Sequence, residues 1–128
     1  MTYALSERSI RRLEGVHPDL VRVVKRAIEI TPVDFAVTEG LRTKEKQEQL
    51  VKAGASKTMR SRHLTGHAVD LAAVISSEVR WDWALYPQIA TAMKKAAYEL
   101  DVPIEWGGDW KTFKDGPHFQ LTWEEYPA

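Results

Sequence analysis

Residues 67–74, HAVDLAAV, form a nearly unbroken apolar run with one carboxylate in its middle. A short apolar run of this kind reads as a strand. On a strand, Ala68, Asp70 and Ala72 share one face, and Val69, Leu71 and Ala73 share the other, because successive side chains alternate. Asp70 therefore sits mid-strand among small neighbours. Burying an unpaired carboxylate is costly, so the fold has to bring it a cation, a set of hydrogen-bond donors or a metal ion. That requirement constrains the chain more tightly than any other feature of it.

Histidines lie close by. His63 and His67 are four apart, the spacing of a helical zinc pair of the HExxH type. Leu64 rather than glutamate follows His63, however, and Gly66 is a poor helix interior. The strand reading also competes with a helix here. On the strand reading His63 precedes β structure and folds back toward Asp70 across Gly66, which permits backbone angles that other residues resist. The candidate for a third ligand is His118 in KDGPHFQL, where His118 and Gln120 share one strand face and Phe119 and Leu121 the other. Two histidines and an aspartate would leave zinc an open fourth position for water. Asp115, three residues before His118, is a carboxylate in the place a general base requires. Spacing alone leaves the plainer readings open: DGPH is also an ordinary turn, and a histidine beside a loop is commonly a hydrogen-bonded surface residue.

The rest of the chain narrows the field. Its 128 residues suit a single domain with one core. There are no cysteines, so thiolate zinc sites, iron–sulfur clusters and disulfides are excluded. Eighteen basic and eighteen acidic residues balance, which argues against a nucleic-acid partner. No window holds 18 consecutive apolar residues and the N-terminus lacks a signal-peptide pattern. The expectation is synthesis in the cytoplasm, with no membrane insertion.

The coarse order of elements mixes helices and strands without a regular βαβ rhythm. HPDLVRVVKRAIEIT carries Leu20, Val23, Val24, Ala27 and Ile28 at helical spacing, with Pro18 in its first turn. VDFAVTEG alternates and reads as a strand. TKEKQEQLVKAG reads as a polar helix between a Thr43 N-cap and a Gly54 stop. SKTMRSRHLTG reads as a loop. YPQIATAMKKAAYEL reads as a helix with Ile89, Met93, Ala96, Ala97 and Leu100 inward, EWGGDWKTFKDGP as a loop, and HFQLTW as a last strand. The fold class expected is α+β, with a small, mainly antiparallel sheet flanked by helices.

Ser61-x-His63-x-x-Gly66-x-Ala68-x-Asp70 resembles the SxHxxGxAxD signature of zinc peptidases of the D-Ala-D-Ala carboxypeptidase and dipeptidase type. These share the hedgehog/DD-peptidase fold with lysostaphin-like enzymes. Asp115-x-x-His118 resembles the family's second motif, and TEGLRT, residues 38–43, its upstream arginine segment. HPDL and EWGGDW also look like this family, so the resemblance runs over about residues 13–122. Within the family, the chain most resembles phage L-alanyl-D-glutamate endopeptidases that act as endolysins.

The resemblance implies that His63, Asp70 and His118 hold Zn2+, that Asp115 is the catalytic base and that Arg42 stabilises developing negative charge. It implies a substrate too: the peptidoglycan stem peptide, cut at L-Ala–D-Glu during host lysis. D-Ala-D-Ala carboxypeptidase or dipeptidase activity and a non-catalytic, zinc-stabilised wall-binding module are the alternatives. Ser61, Arg62 and Trp110 are candidate substrate contacts. Arg60 and Arg62 flank Ser61 and could read substrate carboxylates. Trp106 and Trp110 either wall the cleft or anchor a loop; Trp81, Trp83 and Trp123 are assigned to packing. The sequence departs from lysostaphin-like relatives in carrying Gln120 where they have a second histidine, and His67 falls on an unspecified position of the signature, a bystander. The expected protein is a monomeric single domain without a separate wall-binding domain, released to the wall by a separate membrane-permeabilising protein.

Overall fold

The computed structural model describes residues 2–56, 61–112 and 114–127. Four helices and five strands follow in the order α1 (Glu7–Arg12), α2 (Pro18–Ile30), β1 (Phe35–Glu39), α3 (Lys44–Lys52), β2 (Ala68–Ile75), β3 (Glu78–Arg80), α4 (Tyr86–Leu100), β4 (Ile104–Trp106) and β5 (His118–Leu121). Each strand pairing is antiparallel, along the path β1-β2-β5-β4 with β3 beside β2. The α+β expectation holds. Short elements escaped the sequence: α1, β3 and β4 are three to six residues long, too short to show a period.

The sheet has two chemically different faces, and the register decides which residues share each. Asp70 stands opposite both Glu39 of β1 and His118 of β5. Residues directly opposite one another project to the same face, so Glu39, Asp70 and His118 form one row across three strands. Ala68, Gln120 and Glu105 form the next row on that face. The intervening row, Val69, Phe119 and Trp106, points the other way into the core. There it joins Leu20, Val23, Val24 and Ala27 of α2 and Ile89, Met93 and Ala96 of α4, all buried in one cluster. These are the apolar stripes of two amphipathic helices, whose burial at roughly 25 cal/mol per Å² drives the sheet and helices together.

Local chemistry starts and stops these elements. The Thr43 hydroxyl accepts from the Lys46 N–H and caps α3, and Gly54 follows its end at φ +78°. His17 caps α2 through Nδ1, which accepts from the Asp19 N–H at 3.1 Å, and Pro18 opens that helix. The register shifts between Val37 and Glu39, a bulge that re-aims the end of β1 where Glu39 joins the polar row.

Candidate metal centre and cleft

The polar face of the sheet floors a cleft of about 970 Å³. Among the described residues, His63, Asp70 and His118 are the group of three able to hold a metal ion, their donor atoms lying within 4.8 Å of one another. Asp70 comes from the middle of β2 and His118 from the start of β5, directly opposite. His63 comes from a single 3-10 turn, Arg62–Thr65, that precedes β2. Ser61 caps this turn, its hydroxyl accepting from the His63 N–H at 3.2 Å. Gly66 ends it in the left-handed region at φ +76°, with the space for a Cβ taken up by the Gly15 carbonyl oxygen at 2.4 Å. The turn is pinned from behind by the His17 N–H, which donates to Gly66 O at 2.8 Å.

The donor set fits a zinc-type ion. Asp70 Oδ1 lies 3.2 Å from His63 Nε2 and 3.3 Å from His118 Nδ1. Tetrahedral coordination at about 2.0–2.1 Å would set neighbouring ligand atoms about 3.3–3.4 Å apart. The remaining ring nitrogens are engaged behind the site: His63 Nδ1 donates to Gly40 O at 2.8 Å, and His118 Nε2 donates to Gln120 Oε1 at 2.7 Å. These partners leave the lone pairs of His63 Nε2 and His118 Nδ1 facing Asp70, as metal-binding imidazoles require. Gln120 is thus no substitute for a second histidine; it orients the first.

The electrostatics follow from burial and proximity. Burial alone would raise the pKa of Asp70, but in the metal-free site hydrogen bonds from His118 and His63 in their protonated, charged forms outweigh it and hold the carboxyl below the usual range. Burial pushes His118 down, while the hydrogen bond and charge of Asp70 push it up further, so the net direction is upward. Asp115 is raised, first by burial and then by the negative charge of Asp70. Such perturbation inside a cleft is characteristic of acid–base groups. Asp115 is placed by backbone: its N–H donates to Gly107 O at 3.0 Å, and its own carbonyl accepts from His118 N–H. A Cβ on Gly107 would meet Asp115 O at 2.4 Å, so the Gly107–Gly108 segment approaches the DGPH turn as closely as backbone allows.

Arg42 lies at the other wall. Its Nε donates to Glu39 Oε1 at 2.7 Å, one terminal nitrogen donates to Gln47 Oε1 at 2.6 Å and, more weakly, to Ser61 Oγ at 3.4 Å, and the other is 3.9 Å from Asp70 Oδ2. Gln47 is fully buried and Glu39 shares the Asp70 row. Neither was read from the sequence as part of the site: Glu39 sits within the quoted TEGLRT, but alternation from Phe35 and Val37 would put it on the core side, and only the bulge after Val37 brings it to the Asp70 row.

The tryptophans divide. Trp110 lines the cleft, its ring centroid 5.1 Å from that of His118 and its N–H donating to Glu105. Trp106 is 7% exposed and donates to Gly116 O at 2.7 Å, so it anchors the loop. Trp81 and Trp123, assigned to packing from sequence, are 61% and 40% exposed and line the cleft; Trp83 is also half exposed. Arg62, a candidate substrate contact, lines the cleft but turns its guanidinium inward. It is 3% exposed, donates to the carbonyls of Leu121, Thr122 and Tyr126, and lies 4.0 Å over the Trp123 ring. It ties the His63 turn to the C-terminal segment. His67 stays apart from the three ligands, with Nδ1 against Thr65 Oγ1 and its ring beside His17. Arg60 lies outside the described residues.

The sequence pattern of phage L-alanyl-D-glutamate peptidases matches residues 1–122. The chain is 31% identical over 119 residues to the L-alanyl-D-glutamate peptidase of Escherichia phage T5, covering 90% of this chain and 87% of that one. It is 39% identical over 124 residues to the L-alanyl-D-glutamate peptidase of Listeria phage A118, covering 97% of this chain but 43% of that relative. The chain thus spans less than half the length of the Listeria phage protein. The crystal structure of the Serratia marcescens L-Ala D-Glu endopeptidase ChiX superposes with a TM-score of 0.92 at 56% identity, covering 95% of this chain and 92% of that one.

Proposed function

We propose a function from one premise, that the chain belongs to the phage L-alanyl-D-glutamate peptidase family. It is a peptidase, and we assign to it hydrolysis of the L-Ala–D-Glu bond in peptidoglycan stem peptides. The observation that supports this reading best is the convergence of two imidazole nitrogens and one carboxylate oxygen beside Asp115 in an open cleft.

His63, Asp70 and His118 would hold Zn2+, which when bound lowers the pKa of water and polarises the scissile carbonyl. Asp115 takes the proton of the attacking water and passes it to the leaving amine. Its raised pKa suits a group that must both accept and return a proton. Arg42 faces the negative charge that develops on the carbonyl oxygen, the largest electrostatic demand of acyl transfer. Glu39, Gln47 and Ser61 hold its guanidinium in place before substrate arrives. Trp110 walls the cleft beside His118 and contacts the bound peptide. Action as a monomer is part of this reading. No helix among the described residues is long and apolar enough to cross a membrane, and passage to the wall is assigned to a separate membrane-permeabilising protein.

Digestion of purified peptidoglycan by the zinc-loaded protein, followed by mass spectrometry, tests the assignment. New D-Glu amino termini are expected. Release of D-Ala instead would make the protein a D-Ala-D-Ala carboxypeptidase. Wall binding with no cleavage would leave a binding module.

A further inference from the structure

Trp81 is the most exposed tryptophan of the cleft at 61%. An indole left this open forfeits a large burial gain unless a ligand covers it. Its orientation is fixed from behind. The ring stacks on Tyr86 with centroids 6.3 Å apart and planes within 2°. Tyr86 is itself 2% exposed, and its hydroxyl donates to Arg80 O and accepts from Ala73 N–H. Trp81 is flanked by Arg80 and Asp82, whose exposed side chains pair at 2.8 Å. A flat, pre-oriented aromatic face bordered by planar polar groups suits a pyranose ring: axial C–H bonds stack on the indole, and hydroxyl or acetamido groups meet the guanidinium and carboxylate.

The spacing matches the substrate proposed above, on which this inference rests. Arg80 is opposite Ala73 on β2, three residues along the strand from Asp70. At about 3.3 Å per residue this places Arg80 about 10 Å along β2 from the row that holds the ligands, and Trp81, the next residue and one step back toward that row in an antiparallel pair, about 7–10 Å from it. In a stem peptide the L-Ala amine is joined through a lactyl group to the amino sugar. Six bonds separate the scissile carbonyl carbon from the sugar ring, about 9 Å to the ring centre when extended. A carbonyl at the ligand row therefore delivers the first sugar to Trp81.

We infer that Trp81, with Arg80 and Asp82, forms a subsite for the N-acetylated amino sugar that carries the stem peptide, so that the enzyme reads glycan as well as peptide. The test compares two soluble substrates, a disaccharide-bearing muropeptide and the same stem peptide with an acetylated L-Ala amine and no sugar. Trp81→Ala is expected to raise KM about tenfold on the muropeptide and less than twofold on the sugar-free peptide. Trp81→Phe, which keeps a ring, is expected to retain most of the muropeptide preference. Equal losses on both substrates, no loss on either, or a phenylalanine variant as impaired as the alanine one would overturn the sugar subsite while leaving the L-Ala–D-Glu assignment intact. Failure of the parent enzyme to cut that bond in either substrate would overturn both.

Discussion

Replacing Gln120 by leucine separates the contribution of the support behind His118 from that of the ligands. Gln120 is 5% exposed, and its Oε1 accepts from His118 Nε2 at 2.7 Å. Leucine has a similar volume but accepts nothing. The buried Nε2–H then loses its partner, at a cost of about 1–3 kcal/mol. The ring can escape by moving its proton to Nδ1, where Asp70 Oδ1 waits at 3.3 Å. That tautomer, however, has no lone pair left for an ion. By either route the ion-binding form becomes less favourable, and we expect zinc affinity to fall about 10–100-fold, which corresponds to about 1.4–2.7 kcal/mol. Competition against a chromophoric chelator at pH 7 measures this directly. The melting temperature of the metal-free variant checks that the sheet is intact. Gln120→Glu keeps an acceptor and is expected to hold zinc at least as well as the parent. A folded leucine variant that binds zinc within twofold of the parent would refute the argument.

Four other outcomes are expected. Asp115→Ala should keep near-normal zinc content and lose about 10²–10⁴-fold in activity, measured by muropeptide turnover; surviving activity would remove Asp115 as the base. Alanine at His63, Asp70 or His118 should abolish stoichiometric zinc, while His67→Ala should retain it, both read by metal analysis after dialysis. Zinc affinity should fall with decreasing pH: the pKa of His118 is raised, so its proton competes for Nδ1 from a higher pH than in free imidazole, and each unit below that point costs about tenfold; an onset no higher than that of free imidazole would contradict the Asp70 contact. Gly66→Ala puts a side chain at φ +76° and a Cβ 2.4 Å from Gly15 O, and should destabilise by about 1–3 kcal/mol or more in chemical denaturation.

The sequence by itself determined the elements with enough length to show a period. The apolar stripes of α2 and α4 and the caps at Thr43 and Gly54 are local, and local preferences survive into the structure. Strand alternation placed Asp70 mid-strand among small neighbours, where a carboxylate needs partners, and the backbone freedom of Gly66 marked the turn between it and His63. Which partners arrive was decided only by tertiary structure. His118 and Glu39 reach Asp70 from 48 and 31 residues away through antiparallel register, and a one-residue slip would send either to the opposite face. The same non-local packing turned Arg62 inward onto C-terminal carbonyls, gave Gln120 its place behind His118, and left Trp81 open to the cleft while burying Trp106. An arginine or a tryptophan carries the same local signal in either environment. Its burial depends on what the distant chain places against it.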